Sequence, residues 1–142
     1  MILLTGGLGY LGSHMAAQII QQGQDVVLVD NLSNSTIDVL ARLFNLTGKT
    51  IPFVQADVRD RASLEQIFSR YPITQVVHFA GSKSVNESIQ QPLDYYDNNV
   101  GGLISLIFAR KVSQVITVVF NSTAAIYDES EILIIPDSSC YA

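Results

Sequence analysis

Gly6, Gly9 and Gly12 stand three residues apart in the run Thr5-Gly6-Gly7-Leu8-Gly9-Tyr10-Leu11-Gly12, between an apolar stretch and a helical one. That spacing suits one kind of chemistry, the holding of a pyrophosphate. Gly6 and Gly7 permit a tight turn, Gly9 lets backbone approach a phosphate, and Gly12 lets the following helix pack closely. Unpaired N–H groups at the helix start, with the helix dipole, favour the anion. The pattern also needs an acid to accept ribose hydroxyls, and Asp30 follows Gly12 by nearly the ~20 residues expected. A carboxylate there repels a 2′-phosphate, so the pair of features points to NAD rather than NADP.

Other candidates are less specific. Asp57, in Gln55-Ala56-Asp57-Val58-Arg59-Asp60, either receives the adenine amino group beside the Val58 backbone or caps a helix starting near Arg61. Asp60 is the other candidate for that cap. His78 lies late in an apolar strand and His14 on the first helix, and both read as structural. Two isolated histidines and a single cysteine, Cys140, give no metal-ligand spacing.

The elements that must position these groups follow from periodicity. Apolar, β-branched runs at Ile2–Leu4, Asp25–Val29, Ile51–Gln55, Gln75–Phe79 and Val115–Phe120 read as strands buried on both faces. Helical patterns lie between them at Tyr10–Gln22, Thr36–Leu46, Arg61–Tyr71 and Leu93–Arg110. Gly23 is a plausible cap for the first, and Pro72 stops the third. The alternation predicts an α/β fold: a doubly wound parallel Rossmann sheet of about five strands, in the order 3-2-1-4-5. Ligands in such sheets sit at the switch between strands 1 and 4. The polar loops Thr5–Gly12, Asp30–Ser35, Asp57-Val58, Ala80–Lys83 and Asn121–Thr123 all follow strand ends.

Composition bounds the rest. The chain has 142 residues, 48% hydrophobic and 15% charged, which suits one domain with a real core. A net charge of −5 without a basic run argues against nucleic acid and anionic membranes as partners. No apolar run approaches the ~20 residues needed to span a bilayer. With one cysteine, no intramolecular disulfide can form, which fits a reducing compartment. Met1 leads into the first strand without a basic leader, so a cytoplasmic location is expected.

These residues resemble the UDP-glucose 4-epimerases of the extended short-chain dehydrogenase/reductase superfamily. The resemblance runs from Met1 to about Tyr127. It rests on the glycine run through Ser13-His14, on Asp30-Asn31-Leu32-Ser33-Asn34-Ser35, and on His78-Phe79-Ala80-Gly81-Ser82-Lys83-Ser84-Val85 with Glu87-Ser88. Pro92-Leu93-Asp94-Tyr95-Tyr96-Asp97-Asn98-Asn99-Val100 is its most specific part. The resemblance implies that Tyr10 and Leu11 lie along the pyrophosphate. Asp30, Asn31, Asn34 and Ser35, in the loop with Leu32 and Ser33, would hold the adenosine ribose, and Asp57 and Val58 the adenine. Phe79, Ala80, Gly81, Ser82 and Lys83 would line the cofactor, with Asn98 supporting it. Thr123 would hydrogen-bond the reacting sugar hydroxyl as a catalytic residue.

The reaction so implied is interconversion of UDP-glucose and UDP-galactose, in galactose metabolism, by transient hydride transfer to NAD. Its base is the Tyr of a Tyr-x-x-x-Lys helix motif, which places both side chains on one helix face. No tyrosine of this chain has a lysine four residues on. Tyr141 is the only late candidate, and Tyr127 reads as a packing residue. Asp128, Asn121 and Gly101-Gly102-Leu103 also depart from the family pattern. Two readings follow: an epimerase-family enzyme, or an NAD-binding fragment without catalysis. A sugar-nucleotide dehydratase would need acids beside Thr123, where Ala124 and Ala125 stand. The expectation is an incomplete NAD-binding Rossmann domain over residues 1–142, without the C-terminal sugar-nucleotide domain. Its long helices are implied to pair in a homodimer, and a sheet ending at strand 5 leaves an edge and an apolar face that invite association.

Overall fold

The computed structural model describes residues 1–113, 115 and 117–122. Thr123, Ala124, Ala125, Tyr127, Asp128 and Tyr141 lie outside the described residues. Five strands, β1 (Ile2–Thr5), β2 (Val26–Asp30), β3 (Phe53–Gln55), β4 (Gln75–His78) and β5 (Thr117–Phe120), pair in parallel. Their order is β3-β2-β1-β4-β5, as the alternation of elements predicted.

Side chains alternate across the sheet and both faces are covered. Ile2, Leu4, Val26 and Leu28 pack against Ile19 and Ile20 of α1 (Tyr10–Gln21) and Leu43 of α2 (Val39–Thr47). Leu3, Val27 and Val29 point the other way, onto Leu64, Ile67 and Phe68 of α3 (Arg61–Arg70) and onto Leu106. Two buried faces explain why the central strands are continuously apolar. Each fully buried aliphatic side chain stabilises the fold by roughly 1.5–3 kcal/mol.

The helix ends follow the chemistry of their terminal residues. After α1, Gly23 takes φ +80°, donates to the Ile20 carbonyl at 2.9 Å, and lets Gln24 reach back to Ile19 at 3.1 Å. This pair of bonds satisfies carbonyls that the helix would otherwise leave open. At α3 the choice between Asp57 and Asp60 falls to Asp60, whose carboxylate accepts from the Ser63 N–H at 3.2 Å and its hydroxyl at 2.6 Å. Tyr71, ahead of Pro72, is extended and ends that helix.

Three features depart from expectation. α2 starts at Val39, not Thr36, because residues 36–38 form turns that close on Thr36 and Ile37. A short helix, α4 (Val85–Gln90), occupies a stretch to which the periodicity assigned no element. Its signal is Ser84-x-x-Glu87, a capping box. Ser84 Oγ accepts from the Glu87 N–H at 3.4 Å, but the reciprocal bond is relayed. Tyr95 Oη accepts from the Ser84 N–H at 3.0 Å and donates to Glu87 Oε2 at 2.8 Å.

The stretch Leu93–Arg110 is the third departure, for it is no single helix. It divides into α5 (Pro92–Tyr96), a π-helical turn at Asp97–Gly101, α6 (Gly102–Ala109) and a 3-10 turn at Arg110–Val112. Along this segment runs an apolar stripe, Leu93, Tyr96, Val100, Ile104 and Phe108, each three or four residues from the next, and α4 adds the apolar side chains of Val85 and Ile89. They are 41–80% exposed. Arg61 and Lys111 stand 5.1 and 4.6 Å from the Phe108 ring. Among the described residues no helix is long and apolar enough to cross a membrane.

Candidate functional site

The glycine turn leaves β1 at the switch point of the sheet. Gly6 has φ +66°, a conformation that side chains disfavour, and a Cβ there would stand 2.7 Å from the backbone nitrogen of Ala80. The loops after β1 and β4 therefore meet backbone to backbone. Gly12 sits so close beneath the turn that a Cβ would run into the Gly6 carbonyl oxygen and reach 2.8 Å from Gly7 Cα. Gly7 corrects its expected part: its φ is not positive, and a Cβ would meet Leu28 of β2 at 2.9 Å. Its smallness serves packing on the sheet. Gly9, the N-cap of α1, brings no side-chain acceptor, and no acid stands in the first turn. The amide donors of that turn are open to an anion.

Two carboxylates follow, and hydrogen-bond counting separates them. An ionised carboxylate has about four acceptor sites. Asp57 fills all four. Arg59 donates from its backbone N–H and Nε to Oδ1, both at 2.9 Å, while Arg59 Nη2 at 2.8 Å and Asn31 Nδ2 at 3.0 Å donate to Oδ2. The Arg59 guanidinium, foremost, holds the Asp57 carboxyl well below the usual carboxylate range. These bonds tie Asp57 to the partly exposed Arg59 and to Asn31 of the neighbouring loop.

Asp30 is one short of saturation. Oδ2 accepts from the Leu8 N–H at 3.0 Å, and Oδ1 from the Leu32 N–H at 3.0 Å and the Ser35 hydroxyl at 2.8 Å. Only 8% exposed, it ties the glycine turn to its own loop. It also lines a cleft of about 150 Å³. Leu32 takes φ +63°, which costs a branched residue roughly 1–2 kcal/mol. Its side chain packs on the core beside α1 and α2, away from the cleft.

The same cleft gathers most of the expected cofactor residues. Gly6, Gly9 and Asp30 line it with Asn31, Ser33, Asn34 and Ser35 on one side. Val58, Phe79, Ala80, Gly81, Ser82 and Asn98 close the other. Tyr10 and Leu11 do not line it. Tyr10 is 77% exposed, its ring 4.5 Å from that of His14, so its backbone is what the turn offers a phosphate. His14 bonds within its own helix, its Nδ1–H donating to the Tyr10 carbonyl at 2.7 Å.

A second cleft of about 240 Å³ shares the wall Phe79–Ser82 and adds Lys83, His78, Tyr95, Asn99, Phe120, Asn121 and Ser122. Thr123 follows Ser122 in sequence and lies outside the described residues. His78 is core, at 1% exposure, but only half satisfied. Nδ1 shares a 2.7 Å hydrogen bond with Thr5 Oγ1, while Nε2 has no partner among the described residues. Burial, assisted by the Lys83 charge, pulls the imidazole down to about 4. No metal-binding group of three or more acids, histidines or cysteines occurs among the described residues.

A parallel sheet with a glycine turn at its switch point and an unsaturated carboxylate ending β2 defines a dinucleotide-binding Rossmann fold. The chain belongs to the NAD dependent epimerase/dehydratase family, whose sequence profile matches residues 2–141. The cofactor expected from the sequence, NAD, is thus the family's own. Among relatives, a UDP-glucose 4-epimerase of Neisseria gonorrhoeae is 48% identical over 132 residues, covering 92% of this chain and 38% of that protein. Two crystal structures superpose with TM-scores of 0.94 over 99% of this chain. One is the UDP-glucose-4-epimerase from Stenotrophomonas maltophila with bound NAD and formylated UDP-arabinopyranose, 40% identical. The other is the enzyme from Bifidobacterium longum in complex with NAD+ and UDP, 36% identical. This chain spans 42% of each.

Proposed function

We propose that residues 1–142 form the NAD-binding Rossmann domain of a UDP-sugar 4-epimerase, acting between UDP-glucose and UDP-galactose in galactose metabolism. The observation that carries this reading is the Asp30 carboxylate, with one acceptor site left at the rim of a cleft floored by the glycine turn. In this reading Asp30 binds the adenosine ribose, and the first-turn amides of α1 hold the pyrophosphate. Phe79–Ser82 and Asn98 hold the middle of the cofactor, and Lys83 its nicotinamide side. NAD, when bound, supplies reversible acceptance of a hydride from the sugar. Thr123 is assigned the sugar hydroxyl, from the family resemblance. The lone cysteine and acidic balance suit a cytoplasmic protein.

Calorimetric titration tests the cofactor. NAD is expected to bind, and NADP to bind at least about tenfold more weakly, a difference of ~1.4 kcal/mol. Its 2′-phosphate would be set beside a carboxylate that already holds three donors. Equal affinities, or no heat with NAD, would refute the assignment. A coupled assay for UDP-galactose conversion by the 142-residue chain tests the reaction. A second reading is NAD binding by these residues without turnover. Absence of turnover with NAD bound selects it.

The exposed stripe from Leu93 to Phe108 supports a homodimer, because a second copy would cover its five large apolar side chains in one interface. Sedimentation should give twice the chain mass, and Leu93→Glu, at its most exposed member, should give the monomer. A parent chain that sediments as a monomer at micromolar concentration would remove this part of the reading.

A further inference from the structure

Residues 79–84, the wall between the two clefts, belong to no helix or strand. Something else must hold their backbone. Ser82 N–H donates to Asn99 Oδ1 at 2.8 Å, and Asn99 Nδ2 donates to the Ser82 carbonyl at 2.9 Å. One side-chain amide thus pairs both main-chain groups of one residue, as a neighbouring strand would. Asn98 Nδ2 adds bonds to Ser82 Oγ at 3.2 Å and to Asn99 Oδ1 at 3.0 Å. Both acceptor sites of Asn99 Oδ1 are then filled.

The turn that carries these asparagines is itself anchored. It is the π-helical turn Asp97–Gly101, and Arg59 Nη1 binds Asp97 at 3.0 Å while the same guanidinium grips Asp57. Turns of this kind recur at functional sites in helices. Here the turn links the loop after β3 to the loop after β4.

We propose that Asn99 is a positioning residue for the cofactor, acting through the backbone of Ser82 to hold the shared wall Gly81–Lys83 in its binding shape. The inference rests on the NAD reading above. Asn99 makes no demand on the adenine end, where Asp30 and the glycine turn act. Its loss should therefore be felt by the middle and nicotinamide side of the cofactor rather than by its adenine end.

Two substitutions test this. Asn99→Asp keeps the shape and the acceptor for Ser82 N–H, but sets a second oxygen against the Ser82 carbonyl. Asn99→Ala removes both bonds, leaving a part-buried N–H and C=O unpaired. In either variant, folded by circular dichroism, NAD should bind about tenfold or more weakly, while ADP affinity stays within about twofold of the parent. Hydrogen exchange at the Ser82 amide, measured without nucleotide, should accelerate in step. Unchanged NAD affinity in a folded variant overturns the proposal. So does an equal loss for NAD and ADP, which would mark Asn99 as a general structural support. A parent chain that binds ADP but not NAD, or neither, overturns the NAD reading itself and this inference with it. Slow parent exchange at Ser82 would then show that the clamp exists without that use.

Discussion

Gly12→Ala is expected to destabilise the chain by about 3 kcal/mol, at the upper end of what overpacking costs, and to abolish dinucleotide binding. The added Cβ would overlap the Gly6 carbonyl oxygen and press on Gly7 Cα, both backbone atoms that no rotamer change can move aside. The start of α1 must lift from the turn, taking with it the Leu8 N–H that Asp30 holds. Gly23→Ala is the internal control. A Cβ at Gly23 meets nothing within 4 Å, so only its φ of +80° opposes the change. That costs roughly 1–2 kcal/mol. Urea unfolding of both variants decides the matter. If Gly12→Ala shifts the midpoint no further than Gly23→Ala, the close approach is not what fixes Gly12.

The second large effect is acid loss of stability at His78. The unfolded imidazole titrates near 6.5, whereas in the fold it is held at about 4, first by burial and then by the Lys83 charge. A depressed folded value means that the unfolded chain takes up the proton first. His78's contribution is complete above pH 6.5 and drains away as pH falls toward 4. The full loss is about 3 kcal/mol, at 1.36 kcal/mol per pH unit. Domains of this size have only ~5–15 kcal/mol in total. Asp57 and Asp60 are held below 3.8, so their contributions fade only at lower pH and leave the window to His78. Urea midpoints at pH 7 and pH 4.5 should differ strongly in the parent and little in His78→Phe. An equally steep fall in His78→Phe would assign the acid sensitivity elsewhere.

The parts of the molecule that were legible in sequence are those dictated by backbone and periodicity. Strand order followed from alternating apolar runs, and the turn from Gly6, Gly9 and Gly12, because each depends on residues adjacent in the chain. The Asp30 cleft was legible for the same reason. The hydrogen bonding of Asp57 and Asn99 was not, because residue types alone do not say which donors reach them. At Asp57 three of the four come from Arg59, two residues on, and the fourth from Asn31 in another loop. Asn99 meets Ser82 across 17 residues of sequence. The long helical stretch misled for another reason. Apolar spacings of three and four fit an α-helix and a helix containing one π-turn equally well, so periodicity passes over the insertion.

The π-helical turn has a consequence for the length of this segment. A π-turn closes on the fifth residue where an α-turn closes on the fourth, and one residue of an α-helix is worth roughly 100° of rotation. α6 is fixed from below: Leu106 and Ala109 are in the core, and a Cβ on Gly102 would stand 2.8 Å from Val58. Removing a single residue between Asp97 and Gly101 would let the turn close on the fourth residue, as the flanking turns do, and leave α5 and α6 in their present phase. Leu93 and Tyr96 would stay on the face of Val100, Ile104 and Phe108. What would go is the extra residue that lets two adjacent asparagines both reach Ser82. A one-residue deletion would spare the helix and release the wall.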